Sequence, residues 1–252
     1  MFLLVTPVFR TTDIGIKIWC SLKKVLPEII HHNQCGFIKD RFIGEAARSI
    51  LDIIEHTAES SNLPGVLLFI DFEKAFDSIE WPFLYKILEV FNYATSSVIN
   101  NGLCSRSFLL ERGVRQGDPL SPYLFLVAIE ILALSLRSSR NVVGIKIGND
   151  EFKTLLYADD MTLTLANSSS VESAIQILNN YEKCSGMKMS LSKTKAMWTG
   201  RCKNSSDKPL SLDWCTGVKT LGFTFPVTER KCLRRILTVR LTVFKKRSIY
   251  GD

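Results

Sequence analysis

The chain has 252 residues, enough for one large domain or two lobes around a cleft, and its 46% apolar and 23% charged residues exclude general disorder. The formal charge of +7 is uneven: Gly186 to Asp252 holds fifteen Lys/Arg against four Asp/Glu, a net +11, which leaves a net −4 on the first 185 residues. A basic C-terminal quarter behind a mildly acidic body suits a polyanion held near carboxylates, and it equally suits a solvated basic face. The seven cysteines form no C-x-x-C pair, and the three histidines add no zinc spacing. Scattered thiols of this kind fit a reducing, intracellular setting. Met1 to Phe9 is apolar but has no basic start and is broken by Pro7, so no signal peptide is expected. The longest apolar stretch, Leu124 to Leu136, contains Glu130 and is too short to span a bilayer.

In chain order, a helix is expected from Asp13 to Pro27, and Ile43 to Ala58 carries a helical apolar stripe. After the break at Ser61 to Gly65, Val66 to Ile70 is a continuous apolar run, read as a buried strand ending at Asp71. Glu80 to Phe91 returns to helical spacing with Pro82 in its first turn. Asn101-Gly102 signals a hairpin, and Leu120 to Leu136 is a long apolar helix opened by Asp118-Pro119. Phe152 to Tyr157 and Met161 to Leu165 flank a second hairpin turn. Val171 to Tyr181 is a further helix, and short strands follow near Ala196 to Trp198 and Leu221 to Phe225. The final stretch, Glu229 to Lys246, reads as a basic helix. Elements mixed in this way predict an α+β sheet backed by helices.

Three segments carry candidate chemistry. In LLFIDFEKAFDSIEW (Leu67 to Trp81), Asp71 sits where a strand ends, either as a cation ligand or as a plain strand terminator. In LLYADDMTL (Leu155 to Leu163), Asp159 and Asp160 stand side by side at a hairpin tip. Turn chemistry accounts for one of them, and like charges this close repel. Oxygen ligands of this kind suit magnesium, and paired ions roughly 3.5–4 Å apart can clamp both oxygens of a phosphoryl transfer. In RGVRQGDPLSP (Arg112 to Pro122), Gly113 and Gly117 permit close backbone approach, while Arg115 and Gln116 offer donors. The same loop can serve as a helix entry, with Asp118 as N-cap and Pro119 at the first helical position.

FIDFEKAFDSIEW, RGVRQGDPLSP and YADD, in that order, resemble the palm motifs of reverse transcriptases, most closely those of LINE-like retrotransposons without long terminal repeats. His31 to Ile54 resembles the fingers block, and Ser185 to Met197 and Val218 to Phe225 resemble the two blocks after the hairpin. The resemblance implies a right-hand polymerase with a ferredoxin-like palm sheet. Residues 11–64 would be partial fingers, 65–225 the palm with a fingers-like insertion near 95–110, and 226–252 the start of a truncated thumb.

It further implies that Asp71, Asp159 and Asp160, with the main-chain oxygen of Phe72, hold two Mg²⁺ ions, with Mn²⁺ as a substitute. Phe76 would exclude a ribose 2′-hydroxyl; Arg115, Gln116 and Gly117 would line the nucleotide; Lys193, and less so Lys188, would face the triphosphate. Arg41 would contact template or nucleotide, and Leu221-Gly222 would grip the primer. The implied partners are an RNA template, a DNA primer and dNTPs, with no membrane, no named protein partner, and a nuclear or cytoplasmic setting. A silent nucleic-acid-binding remnant and an intron-encoded reverse transcriptase are the alternatives. The sequence departs from the family pattern before Thr12-Asp13, where an Arg-Pro-Ile stretch is usual, at Ser190 and at Thr220.

Overall fold

A strand that is apolar at every position belongs between two covered faces, and Val66 to Ile70 occupies such a place. The computed structural model describes residues 22–59, 64–88, 95–96, 99–100, 103–104, 108–109, 120–206 and 208–226. Helix α1 covers 22–29 and is followed by α2 (Ile43–Glu59), β1 (Pro64–Ile70), α3 (Ala75–Ser78) and α4 (Trp81–Leu88). Four two-residue strands come next: β2 (Thr95–Ser96), β3 (Ile99–Asn100), β4 (Leu103–Cys104) and β5 (Phe108–Leu109). Then follow α5 (Ser121–Ser138), β6 (Ile145–Ile147), β7 (Asp150–Phe152), β8 (Thr154–Tyr157), β9 (Asp160–Leu165) and α6 (Ser168–Ser185). The described chain closes with β10 (Lys195–Gly200), β11 (Asp213–Trp214), β12 (Gly217–Thr220) and β13 (Phe223–Pro226).

The main sheet has the order β11-β10-β1-β9-β8, antiparallel except for the β10–β11 pair. Alternation along β1 divides its side chains between two cores. Val66, Leu68 and Ile70 pack with α4, α5 and α6, while Leu67 and Phe69 pack with α2 and the β12–β13 hairpin. A third cluster joins Leu26, Ile30 and Ile38 to Leu126 and Val127 of α5. Leu68 is fully buried at the centre of the first core. Leu68→Ala should therefore cost about 2–5 kcal/mol in a denaturant titration, through lost burial and the cavity left behind.

The α+β expectation holds, with local corrections. Helix α6 extends beyond the stripe from Val171 to Tyr181, because its ends are set by caps. The Asn167 side chain accepts from the Ser170 N–H at 2.8 Å, and Gly186 closes the helix with φ 76°. The run from Phe152 to Tyr157 splits at Lys153, whose Nζ donates to the carbonyls of Arg137 and Ser139, each at 3.0 Å, at the end of α5. Upstream of that break β7 pairs back on β6, and downstream β8 joins the main sheet.

Leu221 and Gly222, expected in a strand, form the turn of the β12–β13 hairpin with φ 53° and 75°. Leu120 stands at the N-cap of α5 without a side-chain bond, and Pro122 lies in the first turn. The expected cap at Asp118-Pro119 lies outside the described residues. The β3–β4 pairing brackets Asn101-Gly102 as the hairpin signal predicts; the two turn residues themselves lie outside the described residues, as does the basic stretch from Glu229 to Lys246.

By length and composition, α5 could cross a membrane. Ten of its residues are buried and several lie in the first core, which is the place of a core helix.

Candidate functional site

The ends of two neighbouring strands bring the nominated carboxylates together. In the β1–β9 register Ile70 faces Met161, so the next step sets Asp71 abreast of Asp160. Tyr157 pairs with Asp160 to close the β8–β9 hairpin, with Ala158 and Asp159 at its tip. Asp71 Oδ1 is buried without a hydrogen-bond partner, although the side chain as a whole is 45% exposed. Its nearest cation, Lys193 Nζ, stands 3.8 Å away, outside hydrogen-bond reach. Desolvation raises the Asp160 carboxyl above its ordinary range, and the charges of Asp159 and then Asp71 raise it further.

An orphaned buried oxygen on Asp71, beside an Asp160 that is repelled by both Asp71 and Asp159, is a donor set that suits a divalent cation. No three His, Cys, Asp or Glu side chains already close on one point among the described residues.

The backbone around Asp71 is fastened by the loop after α6. Ser190 N donates to Asp71 O at 2.8 Å, Glu73 N donates to Lys188 O at 2.9 Å, and Asp71 N donates to the buried Thr194 hydroxyl at 3.3 Å. These bonds flank the Phe72–Met189 bridge, so the carbonyl of Phe72 itself faces away from that loop. Lys193 belongs to the same loop and is thereby held beside Asp71. Lys188 instead meets Glu73 at 3.4 Å in a half-exposed pair that contributes little.

Phe76, on α3, stacks on Phe125 of α5 with ring centroids 4.2 Å apart and meets the edge of Phe37 at 6.3 Å. Its ring is therefore a braced wall. Arg115, Gln116 and Gly117 lie outside the described residues. Leu221 and Gly222 sit on the hairpin that packs on the α2 side of the sheet.

Arg41 is engaged with the backbone around it. Its guanidinium donates to the carbonyls of Pro27, Ile30, His31 and Gln34 at 3.2, 3.0, 2.7 and 2.8 Å. It thus ties the end of α1 to the following loop. Arginine in a sequence does not reveal whether its donors go to backbone or to phosphate.

Two residues of that loop escaped the sequence reading. Gln34 is fully buried and bonds the backbone of Ala158, between the paired strand and Asp159. Its place in the fingers block, two residues before Gly36, was the local signal. His31 Nδ1 accepts from Asn33 N–H at 3.2 Å, which requires a neutral ring. Desolvation, then the charges of Arg137, His32 and Arg41, lowers its pKa from 6.5 to about 4. Because the folded value is depressed, this histidine's stabilisation is complete above the unfolded pKa of 6.5 and is lost as pH falls through about 4. His31→Gln should flatten the melting-temperature profile in that window, and an unchanged slope would contradict the assignment.

Carboxylates at the ends of adjacent antiparallel strands, on a sheet backed by helices, agree with the arrangement of a polymerase palm. The sequence profile of the family described as reverse transcriptase (RNA-dependent DNA polymerase) matches residues 13–225. The chain belongs to the reverse transcriptase family.

It is 29% identical over 198 residues to an uncharacterized 149 kDa protein of transposon TX1 from Xenopus laevis, covering 72% of this chain and 15% of that protein. It is also 29% identical over 181 residues to a Pol polyprotein of the type-1 retrotransposable element R2 from Popillia japonica, covering 66% and 25% of the two chains. These similarities bear out the LINE-like resemblance. The chain spans 15–25% of the length of these relatives.

Among solved structures, an apo telomerase from Candida tropicalis matches with a TM-score of 0.51 at 11% identity, covering 85% of this chain and 44% of the other. A telomerase from Candida albicans, solved with a fragment of telomeric RNA, matches with a TM-score of 0.50 at 14% identity, covering 93% and 42%. At such identities the likeness shows the polymerase fold alone. Reverse transcriptases as a family use divalent metal ions.

Proposed function

We propose that this chain is the polymerase part of a retrotransposon-derived reverse transcriptase, adding deoxynucleotides to a DNA primer's 3′-hydroxyl on an RNA template. The observation that carries the reading is the orphaned Asp71 Oδ1 abreast of Asp160, whose carboxyl lies in the field of both Asp159 and Asp71. Asp71, Asp159, Asp160 and the Phe72 carbonyl would hold two Mg²⁺ ions, or Mn²⁺ in their place. When bound, the ions neutralise charge on the attacking and leaving oxygens of an in-line displacement.

The protein's own contribution is placement. Lys193, held beside Asp71, offers its ammonium to the triphosphate. Phe76, braced by Phe125, supplies a wall against a ribose 2′-hydroxyl. Arg115, Gln116 and Gly117 would line the incoming nucleotide, and Leu221-Gly222 the primer strand. Lys/Arg contacts to phosphate would supply most of the template–primer affinity, so binding should weaken steeply with salt. Residues 11–64 serve as fingers, 65–225 as palm with the insertion near 95–110, and 226–252 as the start of a thumb. A nuclear or cytoplasmic location accords with copying of a genomic element.

Primer extension on an RNA template with dNTPs and Mg²⁺ tests this reading. Stepwise lengthening of the primer is expected. Retained template–primer binding with no extension would favour the silent nucleic-acid-binding remnant instead.

A further inference from the structure

The segment 33–36 reaches across the sheet edge and fastens the turn that bears Asp159. Leu156 N donates to Asn33 O at 2.9 Å and Cys35 N donates to Leu156 O at 2.8 Å, a one-residue extension beyond edge strand β8. From there the Gln34 carboxamide enters the turn itself. Its Oε1 accepts from Ala158 N–H at 2.9 Å and from Gly36 N–H at 2.8 Å, while its Nε2 donates to Ala158 O at 3.3 Å. Gln34 is fully buried and Ala158 nearly so.

Ala158 has φ 55°, a left-handed conformation that residues with a Cβ avoid. Both of its backbone polar groups are nonetheless taken by one side chain. Gly36 completes the contact, because a Cβ there would lie 2.3 Å from Ala158 N. The two residues act together: one bonds the turn, and the other lets the backbone come close enough to be bonded.

We propose that Gln34 is a positioning residue for the metal site, holding Ala158 in its left-handed conformation so that Asp159 and Asp160 face Asp71. The inference rests on the assignment of those carboxylates as metal ligands. Gln34 touches none of the reacting groups; it acts through the backbone of Ala158. Outer partners of this kind typically contribute 10–100-fold to metal affinity or activity.

The test uses the full chain and two variants, Gln34→Met, which keeps the volume without the bonds, and Gly36→Ala, which pushes the backbones apart and leaves Gln34 in place. Hydrogen exchange is followed at the Ala158 amide, and Mn²⁺ is titrated as the metal probe. In the unmodified chain the Ala158 amide should be protected despite its place in a hairpin turn. Each variant should lose that protection while amides of β1 keep theirs, and should bind Mn²⁺ about 10-fold or more weakly.

Rapid exchange at Ala158 in the unmodified chain would overturn the proposal without any variant. Folded variants with parental Mn²⁺ affinity would do the same. If the unmodified chain extends no primer, yet Ala158 protection and Mn²⁺ affinity fall together in the variants, the positioning role stands and the polymerase reading fails.

Discussion

Asp159→Ala should abolish primer extension, lowering it by at least about 10³-fold, while template–primer binding stays within about 3-fold of the unmodified chain. The asymmetry follows from where Asp159 sits. It is exposed at the tip of the β8–β9 hairpin, so its removal opens no cavity and should shift stability by only about 0.5 kcal/mol. On the proposed reading, affinity for nucleic acid comes from basic side chains that the substitution does not touch. Extension rates and a binding titration on one preparation check the pair of outcomes. Equal loss of both would mean that Asp159 acts structurally.

Asp71→Asn should be just as severe for extension, again at least about 10³-fold, and yet should not lower the melting temperature in chelator. The carboxylate places a buried oxygen without a partner opposite two other acids. An amide of the same shape removes the charge without disturbing the strand, and the Asp71 backbone bonds to Ser190 and Thr194 remain. Mg²⁺ should separate the two proteins further. A ligand that binds only the folded state adds about 2.7 kcal/mol at a hundred times its Kd, or about 2–4 °C per kcal/mol for a chain of this size. The unmodified chain should gain that increment and Asp71→Asn should lose most of it. A melting temperature lowered by several degrees in chelator would contradict the role assigned to the orphaned oxygen.

The palm sheet was legible because its patterns are strong. Val66 to Ile70 reads as a buried strand and the runs around Asp159-Asp160 as a hairpin, and both form in the main sheet. It was the resemblance to the palm motifs, not the apolar patterns, that implied one shared site for Asp71, Asp159 and Asp160. Caps were less visible: Asn167 and Gly186 lengthen α6 beyond its apolar stripe, since helix ends answer to backbone donors and not to burial. Lys153 hid a break inside an apparent strand for the same reason, its ammonium serving the carbonyls of α5.

Long-range polar contacts were not legible at all. Gln34 and Ala158 are 124 residues apart, and neither has a local pattern that announces the other. Arg41 has the right charge for a template contact, and four of its five N–H donors go to carbonyls nearby. A basic side chain reads alike in both roles until its partners are seen.

On the proposed function, carboxylates at the ends of β1 and β9 form a metal-dependent polymerase site. Single-nucleotide incorporation tests it most directly: the full chain, an RNA template with an annealed DNA primer, one complementary dNTP, and Mg²⁺ added, chelated and restored. The account predicts a primer one nucleotide longer that appears with Mg²⁺, stops with chelation and resumes on restoration. Incorporation that persists in chelator, or a bound template–primer that is never extended at any Mg²⁺ concentration, would contradict it.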